Sequence, residues 1–265
     1  MTAPRPQAWD RGWLPVVTGE RPAATVTLAD LGDAATVDDL VARLQPVTGP
    51  GRRESALTVL HLALGIVVDI VLAPYVVDGV VVDVAPARLG AVLRDDGLPA
   101  SVWVGEWSAG DGDGDGVAVG AKLRDLLAPV GDRVAGCAGL HPRAVRTVVD
   151  DKLRSEGWRL ERRDRADGSR TAGVLRGTGF VPRVPQRWVE AQPDDGDPVR
   201  LPVPSVCCVL HTAACESACP TCPKHPADAR VRRTEAWLRS LDDAGFREVA
   251  GRERLLAPGD RVAAS

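Results

Sequence analysis

Aromatic side chains are scarce in this sequence: they make up 4% of 265 residues, and seven of the ten are tryptophan. A core cannot rest on stacked Phe and Tyr and must be filled mainly by Ala, Val and Leu. Excess charge is missing too. The 33 basic residues stand against 36 acidic ones, for a net charge of -3, so there is no global positive field for nucleic acid or anionic lipid. No repeat of solenoid or propeller period runs through the chain. P-loop, G-x-G-x-x-G and Ser/His/Asp signatures are absent, which argues against a kinase, a bound nicotinamide and a hydrolase. The opening MTAPRPQAWDRGW has no basic stretch followed by an apolar one, so no signal peptide is expected and a reducing, cytoplasmic setting follows. Six cysteines are too few for a disulfide scaffold of this length, and five of them fall between Cys207 and Cys222.

What is present suits a folded chain: 45% apolar and 26% charged residues are enough for one large core or two modest ones. Residues 1–35, rich in Pro, Gly and Thr, read as an irregular arm, after which Thr36 is a predicted N-cap for a helix stopping near Pro46. Ser55 to Val77 is almost continuously apolar and approaches the ~20 residues that span a bilayer. His61, Asp69 and Pro74 interrupt it, and an ionisable Asp near its middle would be costly in lipid. A helix buried in a protein core is therefore expected, without stable membrane insertion. The β-branched YVVDGVVVDV (75–84) predicts a hairpin turning at Asp78-Gly79, and Ser101 to Trp107 predicts a further strand. Amphipathic helices are expected over Val117–Leu127, Arg143–Leu153 and Val231–Asp243, with strands or long loops between Glu156 and Val206. The fold class that follows is α+β: helices packed with a small antiparallel sheet, with a cysteine-rich loop toward the C-terminus.

That loop carries the chemistry. Cys207 and Cys208 are adjacent, and ten residues later comes Cys219-x2-Cys222, so one short loop brings two pairs of thiols together. Four thiolates suit either a [2Fe-2S] cluster, with two sulfurs to each iron, or a structural zinc ion. Zinc ribbons use two C-x2-C knuckles whose sulfurs turn toward one ion, whereas adjacent cysteines project apart and are better tolerated by two irons. Spacing thus favours the cluster and leaves zinc open.

Cys-Cys-x10-Cys-x2-Cys near the C-terminus, with Pro220 and Pro223 beside the last pair, resembles the FhuF-like ferric siderophore reductases. The resemblance implies that Cys207, Cys208, Cys219 and Cys222 hold a [2Fe-2S] cluster. It also implies that the chain reduces a ferric siderophore with electrons from a ferredoxin or flavin reductase. Upstream, the order of long apolar helix, hairpin and a helix opened by HPRAV is similar to the family's N-terminal region. That implies a siderophore-synthetase-like body over 1–200 and a cluster-binding segment over 201–265. The loop departs from the family in VLHTAACESA, which adds His211 and Cys215. Cys215-x3-Cys219-x2-Cys222 has the spacing of radical S-adenosylmethionine enzymes, but 43 residues after Cys222 are too few for their barrel, and Cys207-Cys208 would go unused. The alternative from another class is a non-catalytic zinc module that binds a partner or siderophore.

Other features have plainer readings. Asp111, Asp113 and Asp115 with Gly116 match the opening of a calcium loop, but Lys122 stands where the bidentate carboxylate belongs, so an acidic surface loop is expected. His61 is expected as a hydrogen-bonded core histidine, Asp69 as a backbone cap or an arginine's partner, and Cys137 as a buried apolar thiol. Arg159, Arg162, Arg163, Arg165, Arg170, Arg176 and Arg183, interleaved with acids, are expected as a solvated face. His211, Lys224 and His225 neighbour the cysteines and are candidates for tuning a metal centre.

Overall fold

The computed structural model describes residues 5–12, 14–48, 51–110, 116–164, 169–179, 187–205 and 219–250. Its α+β arrangement is built around one helix. The N-terminal arm, expected to be irregular, contributes two short strands, β1 (Val16–Thr18) and β2 (Thr25–Thr27), and leads into α1 (Ala34–Thr48). Asp33, not Thr36, caps that helix: its Oδ2 accepts the Thr36 backbone N–H at 2.9 Å and the Thr36 hydroxyl at 3.2 Å. Thr36 sits one turn further in, and Pro46 is accommodated within the last turns.

Next comes α2 (Arg52–Val67), continued by wider π-type turns over Val68–Leu72 and Pro74–Asp78, so that one helix runs from Arg52 to Asp78. Its sequence is apolar on every face, which calls for burial on every face. The helix is long and apolar enough to cross a membrane, yet 89% of its most apolar window is buried in this fold, against α1 and later elements. Proline explains the widened turns. In a regular α-helix the N–H of residue 74 would meet the Ile70 carbonyl; Pro74 has none to give, and the Trp9 indole N–H donates to Ile70 O at 3.2 Å instead. The first residues of the chain thus close a gap in its central helix.

The hairpin expected over 75–84 does not form. Tyr75 and Val76 are buried as helix, and Gly79, at φ 70°, is the left-handed residue that ends it. Gly79 N–H bonds Tyr75 O at 3.2 Å, the left-handed helix termination, and Val80 N–H bonds Pro74 O at 3.0 Å, a span one residue wider than the usual capping bond. Burial in the core outweighs the strand preference of paired valines. Only Val81–Val84 becomes a strand, β3, and its partner is remote. After β4 (Leu89–Leu93) and β5 (Pro99–Val104) comes β6 (Trp107–Gly110), antiparallel to β3. The larger sheet has the order β1-β5-β4-β2, antiparallel except for the parallel edge pair of β1 with β5.

Three helices follow: α3 (Gly116–Ala138), α4 (Pro142–Asp164) and α5 (Ser169–Thr178). The first two exceed the expected lengths, because buried residues continue along α3 to Ala135 and along α4 to Leu160, and α5 is not among the expected helices. Glycines set the α3–α5 distance: a Cβ at Gly120 would strike the Val174 carbonyl, and one at Gly177 would strike the Val117 carbonyl. The stretch read as strands or loops thus holds the end of α4, all of α5, and then a hairpin of β7 (Arg187–Ala191) and β8 (Val199–Val203). With α6 (Ala227–Ser240) and α7 (Asp243–Ala250), this hairpin encloses a second core of Val189, Ala191, Val199, Leu201, Val203, Leu238 and Phe246, joined by Trp158 of α4.

Candidate metal centre

The thiolate segment is rooted in the second core at both ends. On the near side, Leu201 and Val203 of β8 are buried, and Ser205 follows. On the far side, Cys219 to His225 forms consecutive tight turns that feed α6: Cys222 N–H donates to Cys219 O at 3.0 Å, and His225 N–H to Cys222 O at 3.2 Å. Cys222 is 2% exposed, whereas Cys219 lies at the surface. The remaining predicted ligands, Cys207 and Cys208, lie outside the described residues, as do His211 and Cys215. The donor set present suits a thiolate-bound metal: a two-residue gap closed by an i to i+3 bond is the knuckle by which paired cysteines share one ion. Among the described residues no cluster of three metal-ligating side chains occurs.

His225, three residues past Cys222, is half-buried, and its Nε2 has no hydrogen-bond partner among the described residues. The Arg230 guanidinium bonds the His225 carbonyl and so ties the turn to the first turn of α6. Lys224 is exposed.

Sequence reasoning missed a set of charges on α4. Asp150 and Asp151 are 1% and 6% exposed. Asp151 Oδ2 accepts the Ser205 backbone N–H at 2.5 Å, and Asp150 Oδ2 pairs with Arg154 Nη2 at 2.9 Å. Burial raises the Asp150 carboxyl above its ordinary range; Arg154 opposes this and Asp151 adds to it. One turn on, Glu156 bridges Lys152 at 2.5 Å and Arg159 at 2.7 Å. Burial pushes that carboxyl up, but the two cations outweigh it and hold it below its usual range. The available signal was the i,i+4 spacing of opposite charges in DDKLRSE, which on a partly buried helix marks internal pairing.

Of the arginines expected as a solvated face, Arg159, Arg162 and Arg170 are engaged within the fold instead. Arg159 is paired. Arg162 lies over the Trp158 ring at 4.8 Å and donates to Arg200 O at 3.1 Å, and Arg170 donates to Tyr75 O and Val76 O at 3.3 and 3.0 Å, capping the long helix. Arg176 is exposed, while Arg165, Arg183 and the Arg163 side chain lie outside the described residues. His61 departs from expectation as well: its buried Nε2 has no partner among the described residues, and burial, helped by Lys152, lowers its pKa to about 4. Asp69, 3% exposed, lies against Gly12, where a Cβ would come 3.0 Å from its Oδ2. Cys137 is half-buried rather than buried. It lines a cleft of about 330 Å³ with Asp38 and Arg52 and donates to Asp38 Oδ1 at 3.3 Å, and burial, then that bond, pushes its thiol up. The acidic stretch 111–115 lies outside the described residues; Lys122 bonds Asp83 within a cleft of about 870 Å³ between β3, β6 and α3.

The chain matches no protein-family model, and no curated protein matches it.

Proposed function

We propose that this protein is an iron–sulfur oxidoreductase that reduces a ferric siderophore, of hydroxamate type, and so releases Fe(II) in the cytoplasm. The observation that carries the reading is the four-cysteine pattern, whose second pair occupies a knuckle turn with one thiol buried and one at the surface. Cys207, Cys208, Cys219 and Cys222 would hold a [2Fe-2S] cluster, which supplies one-electron transfer with little rearrangement. The chain's own contribution is to fix and shield the thiolates. Burial of Cys222 excludes water from one side of the site, and surface placement of Cys219 leaves the other side open to a donor and a substrate. The substrate's Fe(III) sits among hard oxygen donors; as Fe(II) it binds them more weakly and exchanges faster, so electron delivery alone drives release. A ferredoxin or a flavin reductase supplies the electrons.

The test is anaerobic purification with iron and sulfide in supply. About two iron and two sulfide per chain are expected, with visible absorption that dithionite bleaches and an electron paramagnetic resonance signal from the reduced protein. Cys222→Ser should abolish ferric siderophore reduction. A second reading, a non-catalytic zinc module, draws on the same turn, since a C-x2-C knuckle also suits zinc. A colourless, zinc-loaded protein from iron-replete cells overturns the first reading in favour of the second.

A further inference from the structure

The cleft between β3, β6 and α3 contains no cysteine, and its charges are not all paired. Lys122 is bonded to Asp83, and Asp125 accepts from Arg124 at 3.0 Å. Two lining residues are left over. Arg88 and Glu106 are both exposed, and neither side chain has a hydrogen bond or ion pair among the described residues. The backbone puts them on one rim: Gly105 N–H donates to Arg88 O at 2.8 Å, and a Cβ at Gly105 would come 3.2 Å from Arg88 Cδ. Glu106 is the next residue, so an uncommitted guanidinium and an uncommitted carboxylate share that rim.

Beyond the rim the lining turns apolar. Trp107 follows Glu106 and is half-buried, with the Trp9 ring packed against it at a centroid distance of 4.8 Å, so its indole stands as a fixed wall. Ala121 and Leu126 of α3 line the same cleft, and an alanine leaves room that a longer side chain would fill. The volume of about 870 Å³ lies within the range of small-molecule sites. A cation and an anion close together complement a ligand with the same two charges close together: a guanidinium takes a carboxylate by paired hydrogen bonds, and a carboxylate takes an ammonium. Neighbouring positions on one rim suit charges carried on a single carbon. A bound metal ion does not account for the arrangement, since no three metal-ligating side chains converge among the described residues.

We propose that this cleft binds a free α-amino acid with a large apolar or aromatic side chain. Arg88 takes its carboxylate and Glu106 its ammonium, while the side chain lies against Trp107, Ala121 and Leu126. The site does not rest on the thiolate reading above.

Calorimetric titration of the full chain tests it with three probes: L-phenylalanine, 3-phenylpropionate, which lacks the ammonium, and phenethylamine, which lacks the carboxylate. L-Phenylalanine should bind saturably, and each analogue at least about tenfold more weakly. Arg88→Gln and Glu106→Gln change exposed side chains and should keep the parent's circular dichroism melt, yet each should weaken L-phenylalanine about fivefold or more. Arg88→Gln should also erase the advantage of L-phenylalanine over phenethylamine. Cys222→Ser should bind it as the parent does, so that failure of the metal centre and failure of this site are read separately. No saturable binding of L-phenylalanine up to about 10 mM overturns the proposal. So do analogues that bind as tightly as the amino acid, and so do charge variants that bind it as well as the parent.

Discussion

His61 shows how one residue makes stability depend on pH. Its ring is neutral in the fold because burial, and then Lys152, lowers its pKa to about 4, against 6.5 ordinarily. The fold therefore favours the unprotonated ring. That contribution is complete above the unfolded pKa and is lost as pH falls from about 6.5 toward 4, where the unfolded chain binds a proton that the native chain does not. Linkage puts the loss between pH 7.5 and pH 5 on the order of 2 kcal/mol. His61→Leu should remove it, so urea unfolding at the two pH values should show a pH penalty smaller by about that amount in the variant than in the parent. Asp150, whose raised carboxyl works in the opposite sense, is common to both proteins and cancels in the comparison. Equal pH penalties would show that the ring finds a proton-compatible partner. At this scale the sequence was legible where chemistry is local. The cysteine spacing and the apolar surroundings of His61 could be read directly. The identity of a cap could not, because Asp33 and Thr36 are both good capping residues and only the direction of chain entry decides between them.

Among elements, close approach and not hydrophobicity separates what could be read from what could not. The run from Ser55 to Val77 announced a buried helix because no face of it is polar. Its last turn departs from the strand that paired valines suit, because the fold gives Val76 a buried site and lets Arg170 donate to the terminal carbonyls of Tyr75 and Val76. The helix α5 lay hidden in a stretch rich in Arg and Gly, for the same glycines that weaken a helical pattern bring it against α3. Gly120 and Gly177 each sit on a carbonyl of the opposing helix. Gly120→Ala should force the helices apart and lower stability by about 1–3 kcal/mol, the usual range for overpacking. Gly136, on the same helix, has nothing within 4 Å of where a Cβ would stand. Gly136→Ala should raise stability by roughly 0.5–1 kcal/mol through helix propensity alone. Thermal or urea unfolding of the pair decides the matter, and a Gly120→Ala protein as stable as its parent would show that α5 can shift without loss.

For the molecule as a whole, the important division is between two cores of unequal size. The larger surrounds the long helix. The smaller, under the β7–β8 hairpin, α6 and α7, holds seven buried apolar residues among those described, and both roots of the thiolate segment grow from it. That layout was out of reach of composition, because β7 and β8 lie before the cysteines and α6 after them, and only folding brings them together. It has a thermodynamic consequence under the proposed function. A ligand stabilises the units that must be folded to bind it, and units of a protein open with their own free energies. A metal held by Cys219, Cys222 and the two earlier cysteines should therefore stabilise the smaller core far more than the larger one. Hydrogen exchange on metal-loaded and metal-stripped protein measures this directly. Amides of residues 187–203 and 227–246 should exchange at least tenfold more slowly when metal is bound, while those of Ala56–Val67 in α2 should be unchanged. Equal protection of both sets on loading would mean that the two cores unfold as one unit. No protection of either would mean that the four thiols do not close a site on this frame.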